Sequence, residues 1–294
     1  MVEIAAATGD LLGEGPVHVA SANALRWVDI HGRRWHSLDL ASGEIRTIEL
    51  TRRLTAFAPI ANDTSGRCVA SFDSGLAICD ASGVVERWLH QPEADRATNR
   101  FNDGGTDLEG RFLAGTMNEA DASPTGSLYA LDADGSLRVL RRGIGIANTI
   151  AFAPDGRVLY TADSATGDLG AYEYDPSTGA LGARVDRFRP PDDLPGVPDG
   201  SAVDEDGCIW NARWGGSCVV RLRPDGSLDR TLALPATQPT SCAFVGHRLF
   251  VTSARCDLSE GELAQQPEAG SLFVASVGIG GLLRPPAARA IAGL

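Results

Sequence analysis

The chain has 294 residues, 43% of them hydrophobic and 22% charged, which is enough apolar content for a full core and excludes a disordered chain. A formal net charge of -12, with no Lys/Arg-rich run, repels phosphate backbones and argues against nucleic acid as a partner. No apolar stretch reaches the roughly 18 residues a membrane helix needs, so no membrane partner is expected. Met1-Val2-Glu3-Ile4 lacks a basic region followed by an apolar run, so the chain reads as cytoplasmic with no signal peptide.

In chain order, Val2–Ala7 reads as a short strand, and a first unit begins near Glu14, in Gly13-Glu14-Gly15-Pro16. A second and least regular unit begins near Leu54. The chain then repeats itself. A polar residue opens a short strand, a Gly closes it eight positions later, and an apolar strand returns: Asn102 with Gly110, Asn148 with Gly156, Asp199 with Gly207. A further hairpin follows, marked by Asp134-Gly135 in one unit and Asp225-Gly226 in another. Asp-Gly between alternating apolar residues signals a tight turn that needs positive φ. A sixth unit begins near Thr240, and Ser271–Val277 offers the leading strand a partner that would leave no open sheet edge.

Four strands in about 45 to 50 residues is the size of a propeller blade. The expected fold is therefore a single all-β domain over residues 1–294: a six-bladed β-propeller with four antiparallel strands per blade. No segment sustains a 3.6-residue period, and the Gly and Pro content is a poor recipe for long helices. The six cysteines have no metal-ligand spacing and sit in apolar stretches, as reduced core residues do. The five histidines form no H-E-x-x-H pair and read as surface or packing residues. Asp132-Ala133-Asp134-Gly135 starts like a calcium loop but lacks the later ligands, so it reads as a hairpin turn. There is no Gly-x-Ser-x-Gly elbow.

In a propeller, the residues that open the innermost strands gather at one end of the central channel. Here those residues are Glu14, Asn102, Asn148, Asp199 and Thr240. Singly, each has an ordinary structural role as a solvated carboxylate or a turn residue. Two carboxylates and two carboxamides in the same repeat phase suit a hard-to-borderline divalent cation. Arg100 would place a cation beside them.

These residues also carry a likeness. Gly13-Glu14-Gly15-Pro16-Val17, Arg100-Phe101-Asn102-Asp103-Gly104, Ala114-Gly115-Thr116-Met117, Pro198-Asp199-Gly200 and Thr252-Ser253-Ala254-Arg255 occur in this order. The series, from about Glu14 to the last residues, resembles the senescence marker protein/gluconolactonase family of sugar lactonases. The resemblance implies a six-bladed propeller that binds one divalent metal ion (Ca, Zn, Mn, Mg or Fe(II)) and hydrolyses aldonolactones. It implies Glu14, Asn148 and Asp199 as the metal ligands, with Arg100, Asn102 and Glu119 contacting the sugar. Two departures stand out: Asn118-Glu119-Ala120 replaces the consecutive glutamates of the animal members, and Asn148-Thr149 replaces the common Asn-Gly.

Lactone hydrolysis needs a polarised carbonyl, an activated water and a protonated leaving alkoxide, and Asp199 is the candidate general base. Two other readings fit the same pattern: a calcium-binding propeller without chemistry, and a related propeller esterase for other lactones or phosphotriesters. The small-molecule partner expected is a sugar lactone; the oligomeric state is not readable from the sequence.

Overall fold

The computed structural model describes residues 1–293. Six four-stranded sheets, each antiparallel, follow one another along the chain and make a six-bladed β-propeller, as expected. The first strands of blades 1 to 6 are Gly13–Val19, Leu54–Pro59, Asn99–Thr106, Ala147–Phe152, Val197–Val203 and Pro239–Val245. Blade 6 takes its outermost strand from the start of the chain: Val2–Ala6 runs antiparallel to Leu272–Ser276, with Val2 opposite Ala275 and Ala6 opposite Leu272. The hairpins anticipated at Asp-Gly are present. Gly135 and Gly226 take φ of 83° and 87°, a region glycine enters without a steric penalty.

By internal packing the chain divides into two compact units, Met1–Thr47 with Asp186–Leu283, and Ile48–Val185 with Arg284–Leu294. In the first, the opening strands of blades 5, 6 and 1 pack side by side. Its apolar filling is Trp210, Phe244, Leu249, Val251 and Phe273 in one cluster, and Leu25, Trp27, Leu38, Phe250 and Leu272 in another. In the second, the opening strands of blades 2, 3 and 4 pack in the same way. There Val69, Leu76, Phe101, Phe112 and Leu131 close over Ala287 and Ile291, and Ala287 N–H donates to Pro59 O at 2.9 Å.

Two details go beyond the sequence reading. A six-residue helix, Glu260–Gln265, is inserted in blade 6. Its signature was local and not periodic: Ser259 accepts the Glu262 N–H while the Glu262 carboxylate accepts the Ser259 N–H, a capping box. Cys68, Cys79, Cys208, Cys218 and Cys242 are buried and unbridged, but Cys256 is only partly buried, in a loop. The histidines behave as packing residues where they are buried. His36 stacks on Trp27 with ring centroids 4.9 Å apart and meets Asp10 at 3.0 Å and Thr47 at 2.9 Å.

The approach to Glu14 is pinned by a buried carboxylate. Asp29 accepts N–H groups from Leu11 at 3.1 Å, Leu12 at 2.9 Å and Gly32 at 2.9 Å, and pairs with Arg34 at 2.7 Å. Burial pushes its pKa up, but the hydrogen bonds from Leu12, Arg34, Gly32 and Leu11 win and hold it below 3.8. A depressed folded-state pKa contributes stability above the unfolded value of 3.8, and that contribution fades as pH falls through the folded value. Asp29→Asn is therefore expected to lose about 1–3 kcal/mol at neutral pH. Urea unfolding should show the gap to the parent protein narrowing once the pH drops below 3.8.

Candidate active site

Each opening strand loses register with its neighbour at one place. The breaks lie between Glu14 and Val17, Leu54 and Ala56, Phe101 and Gly104, Asn148 and Ala151, Pro198 and Ser201, and Pro239 and Cys242. Glu14, Asn102, Asn148, Asp199 and Thr240 all sit at or inside these breaks, so the repeat phase read from the sequence corresponds to a repeated bulge. A bulge re-aims a side chain and bends the strand. All five are buried, with 7%, 8%, 5%, 4% and 0% of their surface exposed, so each must meet polar partners or carry a desolvation penalty.

In the unit of blades 2 to 4, the polar residues form one connected line. Arg100, itself buried, donates from Nε to Glu119 Oε1 at 2.7 Å and from Nη1 to Asn102 Oδ1 at 2.7 Å. Asn102 Nδ2 donates to Asn148 Oδ1 and to Ala147 O, both at 3.0 Å. Asn148 Nδ2 donates in turn to Ser164 Oγ at 2.8 Å. The two donations fix the Asn148 amide: its nitrogen faces Ser164 and its oxygen faces Asn102. A carbonyl oxygen has two lone pairs, so the hydrogen bond from Asn102 leaves a second one with which Oδ1 can bind a cation.

Thr149, which follows Asn148, is fully buried at φ 56°, a conformation a β-branched residue rarely adopts. A glycine would enter it freely. The surroundings hold it there through Asp103, a buried acid that accepts the Gly104 N–H at 2.7 Å and backbone hydrogen bonds from Ile150 and Thr149. Burial raises the Asp103 pKa; the Arg284 charge and those hydrogen bonds oppose the rise without cancelling it.

In the unit of blades 5, 6 and 1, Glu14 is the last residue paired before its break, opposite Val28, and Asp199 is the first residue inside its own, following Pro198. Glu14 Oε2 accepts the N–H of Gly15, whose φ of 52° turns the chain there. The Asp199 backbone is held by Asn211, which donates to Asp199 O at 2.9 Å and to Ser201 Oγ at 3.0 Å. Arg213 braces Asn211 at 3.1 Å and reaches the carbonyls of Pro195 and Gly196 at 2.8 and 2.9 Å. Thr240 is structural: its hydroxyl donates to Gly13 O, tying blade 6 to blade 1 beside Glu14, and bonds Thr252 at 2.8 Å.

Glu119 is the exposed member of the set, with 37% of its side chain accessible. Burial of the remainder raises its pKa, but the Arg100 charge and hydrogen bonds from Arg53 and Arg100 pull it below 4.5. It is a carboxylate throughout the neutral range. Sequence reasoning missed Arg53, Ser164, Asn211 and Arg213. The last two left a trace as polar residues on the apolar strand Ile209–Trp214. Among the described residues, no three His, Cys, Asp or Glu side chains gather as an ion site. The donors this chain offers are carboxylates and amide oxygens, the set that hard cations prefer.

Residues 12–255 match the family described as "SMP-30/Gluconolactonase/LRE-like region", and the chain belongs to that family. Its relatives include the L-arabinolactonase of Azospirillum brasilense, 38% identical over 274 residues that cover 91% of this chain and 89% of that protein. Another is the 6-deoxy-6-sulfogluconolactonase of Pseudomonas putida, 34% identical over 278 residues, 94% of each. A solved structure titled as a calcium-binding protein, regucalcin, from Agrobacterium tumefaciens superposes with a TM-score of 0.89 at 33% identity and covers 96% of both chains.

The Asn102 amide donates to two carbonyl oxygens, so a carboxylate in its place would face them with no proton to give. Asn102→Asp is expected to lower the unfolding free energy by about 1–3 kcal/mol and to raise KM for a sugar lactone. Thermal melts and initial rates check the two effects separately.

Proposed function

We propose that this lactonase opens sugar lactones of the aldono class to their aldonic acids, using one divalent cation and Asp199 as general base. The observation that carries the reading is the unbroken polar line from Glu119 through Arg100 and Asn102 to Asn148. Alternating donors and acceptors of this kind match the hydroxyls of a polyol, whereas pockets for apolar esters are mostly hydrocarbon. Arg100 and Glu119 would orient the sugar, and Asn102 would hold Arg100 in place while keeping the Asn148 oxygen turned one way.

Glu14 and Asp199 supply carboxylate oxygens for the cation; for Asn148 as a further ligand, the support is the family motif and the fixed direction of its Oδ1. A donor set made of oxygen alone suits Ca²⁺, Mg²⁺ or Mn²⁺ better than softer ions. Such an ion, when bound, polarises a carbonyl and lowers the pKa of a water. Asp199 would take the proton from water as its oxygen bonds to the lactone carbonyl carbon. The ring C–O bond then breaks, and the proton returns to the leaving alkoxide.

A pH-indicator assay over pentono- and hexonolactones tests this, run before and after chelation and with single metals restored. Acid release is expected to vanish on chelation and to return with an oxygen-preferring cation. Asp199→Ala is expected to lower kcat by about 10²- to 10⁴-fold with little change in thermal unfolding. A kcat within about tenfold of the parent in that variant would refute the base assignment. Acid release from no lactone under any metal would favour a propeller that binds without catalysing.

A further inference from the structure

We infer that Arg53 is a positioning residue for sugar recognition: it clamps Glu119 in the orientation in which that carboxylate and Arg100 meet the substrate. The inference rests on the reading of Glu119 and Arg100 as sugar contacts. Arg53 lies one residue before the first strand of blade 2, Glu119 one residue beyond the second strand of blade 3. Arg53 Nη1 donates to both oxygens of Glu119, at 2.8 and 3.0 Å, and its Nε reaches Asp73 Oδ2 at 3.3 Å. Glu119 Oε1 also accepts from Arg100 Nε at 2.7 Å, so one carboxylate lies between two guanidinium groups.

The backbone under this arrangement is fixed at every point. Asp73 N–H donates to Arg53 O at 3.0 Å, Phe101 N–H to Asp73 O at 3.1 Å, and Glu119 N–H to Thr98 O at 2.9 Å. The side chains above it are held by polar contacts. A cavity of about 270 Å³ borders Arg100, lined also by Asp73, Gln91, Glu93, Arg96 and Phe101. Arg100 is buried but borders this cavity, and Glu119 faces solvent. Charge and hydrogen bonding act on both rotamers: Arg100 holds Glu119 Oε1, and Arg53, by bonding Oε1 and Oε2 together, opposes rotation of the carboxylate about that contact. A guanidinium suits that task because its separate donors hold two carboxylates at once, Nη1 on Glu119 and Nε on Asp73, which the compact ammonium of lysine does not span as readily.

The ion pair is partly open to water, with 25% of the Arg53 side chain and 37% of the Glu119 side chain exposed. An exposed pair adds little to stability, so its removal should be felt in substrate binding and not in folding. Steady-state kinetics of Arg53→Ala, Arg53→Lys, Glu119→Gln and the Arg53→Ala/Glu119→Gln double variant test the inference on a sugar lactone the parent turns over. Arg53→Ala is expected to raise KM by about tenfold with kcat within about threefold of the parent and an unchanged melting temperature. Arg53→Lys should recover part of the loss. Glu119→Gln should raise KM by itself, and the double variant should be no worse than the more impaired single one. If Glu119→Gln raises KM but Arg53→Ala does not, the clamp is refuted while Glu119 keeps its role. If Glu119→Gln leaves KM unchanged, the reading of Glu119 fails and takes the clamp with it. A loss in Arg53→Ala that falls on kcat or melting temperature alone, or that adds in full to the Glu119→Gln loss, also overturns it.

Discussion

A single skipped pairing in the opening strand of each blade is the constraint on which the candidate site of this molecule depends. Strand side chains alternate strictly, so a regular strand would point every second residue into packed hydrocarbon. The break in register gives one residue per strand a different direction, and at five of those places the chain has put Glu14, Asn102, Asn148, Asp199 and Thr240. Burying such groups is unfavourable unless every donor and acceptor is answered. For Asn102 and Asn148 the answer is a line of hydrogen bonds, which fixes side-chain direction as a by-product of satisfying polarity. The orientation of the Asn148 amide between Asn102 and Ser164 is the clearest case.

Thr149 shows how much force that constraint exerts. A β-branched residue at φ 56° is held in an unfavourable region. It stays there because Asp103 collects the neighbouring N–H groups from the next strand over, and Arg284 offsets part of the charge that Asp103 brings into the interior. Backbone strain, a buried acid and an arginine from the C-terminal segment thus act together on one bulge. The residue beside them, Asn148, is one of the proposed cation ligands.

Much of this was legible in the sequence for a physical reason. Propeller blades repeat, so a polar residue in the same phase of several units marks the same place in the fold. The eight-residue spacing from Asn102 to Gly110, Asn148 to Gly156 and Asp199 to Gly207 located the bulges before their geometry was visible. Arg53 was not legible, because its partner Glu119 is 66 residues away on another blade and the pairing has no echo in other units. Ser164 is hidden in the same way: it lies 16 residues from Asn148, in a turn whose composition is ordinary. The helix at Glu260–Gln265 escaped because a six-residue helix is too short to show a period; only its capping box announced it.

The account stands or falls on Glu14 and Asp199 offering their oxygens to a single divalent cation. Mn²⁺ binding followed by electron paramagnetic resonance, on protein first stripped of metal, measures this without reference to turnover. The account predicts one tightly held ion per chain, lost in Glu14→Gln and in Asp199→Asn and kept in Glu119→Gln. Binding that persists undiminished when both Glu14 and Asp199 are replaced, or no binding to the parent protein, would contradict it.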